Sequence, residues 1–499
     1  MRRTKTVAAV LLVIGVLAQA PPAVATPAAA QVSAPASGIA WHGCSTGPGD
    51  EVGGQLDAAG AQCGEVTVPV DHDDPHGRRT TLAMSRIKAS DPARRRGVLM
   101  INPGGPGGPG MPQVLLGQYM PDVAARYDLV GLDPRFVGRS SPMRCDWKTS
   151  TFLRSAGPGL RSFGESVALA KDLARGCSSL DHDLLRSAST RNNARDMDAV
   201  RIALGERKIS YYGVSYGTYL GAVYLQMFGS RADRFVLDSA VDPDVFGPGL
   251  LRPTARASAA ALRDWAGGAV GHGLGATAEE VLATVNGVAR SAERRPLSVG
   301  KYTVDGHVLP YLLFVGVYKD DPEYRAAFTD SVRVLADAAR GIPVAPTPML
   351  EEVLGGLATG EGDAEDRAGA PTVCADRKAS RDPATYYRDI QAHRAAEPLF
   401  GPLARNISPC AFWPVTPAEP TTRIANGSPV LMLGADGDPA TPRPGQLAMH
   451  RALAGSRMVT LEGRFRHGVF LTAGNACADT AVRDHLVGGV LPATDRTCR

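Results

Sequence analysis

The chain lacks the spacings that most readily hold zinc: it contains no Cys-x-x-Cys pair and no His-Glu-x-x-His motif. Beyond its first residues it has no second long apolar run, so no membrane span is expected in the mature protein. It also has little excess of either charge, with 54 Lys and Arg against 50 Asp and Glu. The formal charge of +4 falls to about +1 once Arg2, Arg3 and Lys5 are removed, and no basic stripe suggests nucleic acid or an anionic membrane as a partner. Two acidic runs imitate metal sites. Asp71-His72-Asp73-Asp74-Pro75-His76 falls between strand-like runs at 66–70 and 81–87, where a polar loop is expected. Asp436-Gly437-Asp438 fails as a calcium loop, because Thr441 and Leu447 stand where glycine and glutamate are needed. No metal and no cofactor is implied.

Arg2, Arg3 and Lys5 precede an apolar stretch at 7–18 and the small residues Ala23-Val24-Ala25. This is the pattern of a secretory signal peptide over 1–25, followed by an Ala/Pro-rich leader to residue 40 that has no core to build. Eight cysteines agree with a secreted, extracellular protein. They fall in sequence-local pairs: Cys44 with Cys63, Cys145 with Cys177, Cys374 with Cys410, and Cys477 with Cys498. Local pairing is the simplest of the many connectivities eight cysteines allow.

The most informative run is Gly213-Val214-Ser215-Tyr216-Gly217, set between Ile209-Ser210-Tyr211-Tyr212 and an apolar run at 218–228. Strand, sharp turn and helix around a G-x-S-x-G make a nucleophile elbow, in which bulky residues two before or two after the serine would collide with the strand or helix. A serine nucleophile needs a base, an acid to orient that base, and donors for the oxyanion. Downstream, the strand-like Pro429-Val430-Leu431-Met432-Leu433-Gly434 ends at Asp436 and Asp438, where α/β sheets place reacting groups. Asp438 is favoured because Pro439 and Thr441-Pro442 restrain its loop, with Asp436 as the alternative. Of the three later histidines, His450 and His485 fall in helical stretches. His467 follows the strand-like 457–461 and the Gly463 turn, in a loop suited to a base with a free imidazole edge. For the oxyanion, the apolar Val98-Leu99-Met100-Ile101 runs into a Gly/Pro-rich loop at 102–110. Gly104 or Gly105 would supply one backbone donor and Tyr216 the other.

Taken in order, these motifs resemble the proline iminopeptidase/tripeptidyl aminopeptidase branch of the α/β-hydrolases, from about Trp41 to the C-terminus. The resemblance rests on Pro103-Gly104-Gly105-Pro106-Gly107, Asp133-Pro134-Arg135 with Gly138 and Ser140, and Gly213 to Gly217. It continues through Asp438-Pro439 with Thr441-Pro442, His467-Gly468, and Cys477 with Leu491-Pro492 and Cys498. It implies an extracellular exopeptidase that removes short peptides from unblocked N-termini. The chain departs from the family pattern at Phe136, where glycine is usual, at Arg466, where a small residue usually precedes the histidine, and at Pro103, where histidine is common.

A minimal core of this kind needs roughly 250 residues. The fold expected is therefore α/β, an α/β-hydrolase with a mostly parallel sheet. Its core would occupy 41–242 and 424–499, with a helical cap at 243–423 inserted between the sixth strand and the acid-bearing strand. Within that cap the Gly/Asp/Glu-rich stretch 355–369 reads as a loop. An aminopeptidase must also bind a substrate ammonium, and the cap offers Glu351, Glu352, Asp366 and Asp376, of which Asp376 is favoured. The partner expected is a peptide or small ester. A secreted carboxylesterase using the same triad, or a non-catalytic binding protein on this fold, are the rival readings.

Overall fold

Runs such as Gly97–Asn102, Tyr127–Leu132 and Val430–Ala435 are buried at every position. Such unbroken burial is the mark of parallel strands covered on both faces. The computed structural model describes residues 38–359 and 365–499. The signal peptide expected at 1–25 and nearly all of the leader lie outside the described residues.

Eleven strands are found among these residues: β1 (Gln62–Pro69), β2 (Arg79–Ile87), β3 (Gly97–Asn102), β4 (Tyr127–Leu132), β5 (Ile209–Val214), β6 (Ala232–Asp238), β7 (Leu297–Val299), β8 (Tyr302–Val304), β9 (Val430–Ala435), β10 (Ser456–Leu461) and β11 (Arg496–Cys498). Nine form one sheet in the order β1-β2-β4-β3-β5-β6-β9-β10-β11. Only β2 runs against its neighbours; from β4 onward every pairing is parallel. The strand order reverses direction between β3 and β5, so the C-terminal ends of these two strands border the crevice in which such sheets bind ligands. Their register sets Asn102 opposite Gly213, which brings the Gly/Pro-rich loop beside the serine turn.

Between β6 and β9 the chain forms helices including Thr254–Gly268, Ala278–Arg294, Leu309–Gly316 and Pro322–Ala339, and the small antiparallel hairpin β7–β8. Ala278–Arg294 buries Val281, Val285, Val288, Ala289 and Ala292, one stripe of a 3.6-residue period, and Thr277 caps its first turn. The inserted helices share an apolar cluster of their own, in which Trp265 packs on Phe328 with ring centroids 4.6 Å apart. The glycine-rich stretch is helical on both sides, at Pro348–Thr359 and Glu365–Asp376, rather than a continuous loop. Burial of Leu354 and Leu357 against the cluster outweighs the poor helix propensity of the intervening glycines. Residues 360–364 lie outside the described residues.

Four disulfides join the sequence-local pairs, Cys44–Cys63, Cys145–Cys177, Cys374–Cys410 and Cys477–Cys498. No helix among the described residues is long and apolar enough to cross a membrane. In the turn containing Asp133-Pro134-Arg135, Phe136 adopts φ 68°, in the left-handed region that normally favours glycine. Its amide donates to Ser140 O at 2.8 Å. Arg135 is fully buried and forms a bidentate pair with Asp196, which also meets His72 Nε2 at 3.0 Å. His72 therefore turns inward from a loop that sequence alone makes wholly polar.

Candidate active site

Ser215 directly follows β5 with φ 57° and ψ −123°, a strained conformation for a residue with a side chain. The strain is held by close packing. A Cβ on Gly213 would lie 2.6 Å from Gly217 O, and one on Gly217 would lie 2.8 Å from Asn102 Oδ1. The Ser215 amide donates to Asp238 O at 3.0 Å, and Thr218 closes the first helical turn by donating to Ser215 O. The half-buried Ser215 side chain is thus presented at the tip of a rigid turn.

Asp438 is fully buried beyond the end of β9. Its carboxylate accepts from the amides of Ala440 and Thr441, both at 2.8 Å, and from Thr441 Oγ1 at 2.7 Å. His467 Nδ1 lies 3.0 Å from Asp438 Oδ2 and 3.2 Å from Oδ1. Thr441 Oγ1 stands 3.3 Å from the same nitrogen. A carboxylate only accepts, so this contact places the proton on Nδ1 and makes Nε2 the basic nitrogen. Asp436 instead faces solvent and accepts from the Gly463 amide. His450 is occupied by Ser456 and Asp495, and His485 is buried, which together with Arg234 pushes its pKa down to about 4.

The Gly/Pro-rich loop meets the serine turn directly. Gly104 has φ 107°, and a Cβ there would lie 2.6 Å from Val214 O and 2.9 Å from Ser215 Cβ. The Gly104 amide is already committed, donating to Asn102 Oδ1 at 3.1 Å. Gly105 and Tyr216 border the cavity into which Ser215 opens.

That cavity has a volume of about 580 Å3 and is shared by Ser215 and His467. Much of its wall is apolar and comes from the inserted span, including Leu250, Tyr311, Phe314 and Tyr318. Among the described residues, its carboxylates are Asp242 and Glu352. Burial raises the pKa of Asp242 above the usual carboxylate range, and the neighbouring Asp244 amide opposes the shift. The sequence candidates for a substrate ammonium are dispersed. Asp376 does not line the cavity: it accepts from the Thr190 amide at 2.7 Å and from Thr190 Oγ1. Glu351 is held by Tyr302 and Lys301, and the Asp366 side chain lies outside the described residues.

With this geometry in place, comparison with known proteins is informative. The α/β-hydrolase fold model matches residues 97–310, and the model described as TAP-like protein matches 397–498. The tripeptidyl aminopeptidase of Streptomyces lividans is 32% identical over 467 residues, covering 88% of this chain and 83% of that protein. The chain belongs to the tripeptidyl aminopeptidase family of α/β-hydrolases. Serine protease Hip1 of Mycobacterium tuberculosis is 30% identical, covering 92% of this chain and 91% of its own. Carboxylesterase B of the same organism is 29% identical over 100% and 99%. Membership of this family makes the chain a serine hydrolase of the peptidase kind.

Sequence reasoning passed over three residues of this region. Thr441 was valued for its place in the loop, not for the hydroxyl that touches both Asp438 and His467. Asp242 carried a readable signal, since it lies just past the C-terminal end of β6. Asp320, described below, meets its partners across more than a hundred residues of chain and has no local signature.

Proposed function

We propose that this protein is a secreted serine exopeptidase that releases short peptides, tripeptides in particular, from free N-termini. The observation that carries this reading is the shared cavity: Ser215 and His467 open into a space walled by the inserted span and bearing Asp242 and Glu352. A chamber of this form admits a chain end more readily than the middle of a folded protein. Residues 243–423 act as the cap that shapes it. The two carboxylates receive the substrate ammonium, a charge-assisted contact that an N-blocked peptide cannot make. The disulfides and the N-terminal signal pattern support secretion.

His467 Nε2 takes the proton of Ser215 Oγ as the oxygen attacks the scissile carbonyl. Asp438 keeps the imidazole in the required tautomer and stabilises the imidazolium. The developing oxyanion accepts from the amides of Tyr216 and Gly105, since the Gly104 amide is spent on Asn102. The imidazolium then protonates the leaving amine, and water activated by His467 releases the peptide from Ser215.

Turnover of a tripeptidyl chromogenic substrate with and without an N-terminal acetyl group tests this, with Ser215→Ala as control. Fast release from the free amine alone is expected. Glu352→Gln and Asp242→Asn should raise KM for the free amine and leave any residual rate on blocked substrate unchanged. Equal turnover of blocked peptides and simple esters would instead establish the esterase reading, which the similarity to carboxylesterase B and the apolar cavity wall favour.

A further inference from the structure

Arg466 precedes His467 where the family usually has a small residue, and its guanidinium is almost wholly buried, with 1% of the side chain exposed. It does not reach solvent. Its Nε donates to Gly468 O at 2.9 Å and one Nη donates to Thr472 O at 2.7 Å, so it bridges the loop that follows His467. The other Nη donates to Asp320 Oδ1 at 2.9 Å. Asp320 also receives Arg464 through a two-pronged pair, Nε at 2.5 Å and Nη at 2.8 Å, and the Phe465 amide at 3.2 Å. One carboxylate thus gathers three successive residues immediately before His467.

Asp320 belongs to the turn between Leu309–Gly316 and Pro322–Ala339, within the inserted span. The same turn gives Tyr318 O, which accepts from the His467 amide at 2.8 Å, and the Tyr318 ring, which meets the imidazole edge-on. The core grips the loop from the other side. Ser239 Oγ accepts from the Gly468 amide, and Asp238 accepts from Val469 and Phe470. Burial raises the pKa of Asp320, but the Arg464 and Arg466 guanidiniums outweigh it and hold the carboxyl below its ordinary range. A lone buried guanidinium at Arg466 would be unfavourable, so Asp320 is what permits it there.

We propose that Asp320 is a positioning residue for His467, through which the inserted span sets the base by way of Arg464 and Arg466. The inference rests on the reading of Ser215 and His467 as the reacting pair. It makes the span part of the chemistry and not only the wall of the substrate cavity.

The test uses Asp320→Asn, Arg464→Gln, and the double variant Asp320→Asn/Arg466→Gln in the full-length protein. Each is followed by steady-state kinetics, the fluorophosphonate labelling rate of Ser215, the pH profile of kcat/KM, and thermal unfolding. Asp320→Asn is expected to lower kcat and the labelling rate on the order of 10- to 100-fold, with KM little changed, because a displaced base costs rate and not affinity. Charged groups around the imidazole include Asp438 at Nδ1, Asp238 beneath the loop, Arg466 beside it, and Asp242 and Glu352 across the shared cavity. Removing the negative charge of Asp320 leaves the arginines uncompensated, which disfavours the imidazolium, so the acid limb should move to lower pH. The double variant should be no slower than Asp320→Asn, since both changes act on one cluster. If Asp320→Asn does not fold, the partly exposed Arg464→Gln supplies the same readouts. A folded variant with wild-type kcat, labelling rate and acid limb, or with a change confined to KM, overturns the proposal. Loss of turnover in Ser215→Ala alongside such a result sinks this inference alone, whereas an active Ser215→Ala sinks the reading beneath it.

Discussion

Asp438 and Asp376 are both buried carboxylates, and their surroundings give them opposite parts. Asp438 accepts two amides and a hydroxyl and still faces His467 Nδ1. Asp438→Asn keeps the shape and removes the charge that orders the imidazole, so kcat should fall by about 10^4-fold while the melting temperature changes little. Steady-state kinetics beside a thermal melt checks both halves. The Asp376 carboxylate accepts from the Thr190 amide and Thr190 Oγ1, and burial lifts its pKa to about 7, against the lowering effect of those bonds. In the unfolded chain it titrates near ~3.9. Between those values the folded protein holds a proton that the unfolded chain has released. The contribution of Asp376 to stability therefore falls as pH rises from about 4 to about 7, and is flat above that. Asp376→Asn should remove this slope and melt higher than the wild type at pH 8, but not at pH 4. Melting curves at the two pH values decide the matter, and an unchanged slope would clear Asp376 as its source.

At the scale of elements, the serine turn and the Gly/Pro-rich loop form one unit because β3 and β5 are neighbours in register. The signals for both were local: an apolar strand, then glycines where a side chain would strike backbone. The helices of the inserted span were also legible, since their buried residues recur at helical spacing. Within 355–369, the residues up to Thr359 and from Glu365 are helical and not the loop expected, because composition reports propensity and not the apolar neighbours that override it. The Cys374–Cys410 disulfide ties the end of Glu365–Asp376 to the 3-10 turn Pro409–Phe412 and so braces the part of the span nearest Thr190. Replacing both cysteines by alanine should destabilise the fold by about 3 kcal/mol. Hydrogen exchange should rise first in 365–376, and uniform exchange across the chain would argue against a local brace.

Over the whole molecule, the sequence by itself determined the class of fold, the serine turn and the order of the candidate site residues. Each of those rests on short-range rules: periodicity, the steric demand of a tight turn, and a strand followed by a polar loop. Tertiary structure alone decided which groups meet. It chose Asp438 over Asp436, committed the Gly104 amide to Asn102, and carried Asp376 away from the cavity while bringing Asp242 and Glu352 to it. It also turned Arg466 from an odd neighbour of His467 into a buried brace, by supplying a carboxylate 146 residues away. The physical reason is the same in each case. Burial and charge compensation depend on what the folded chain brings within a few ångströms, and spacing along the sequence does not record that distance.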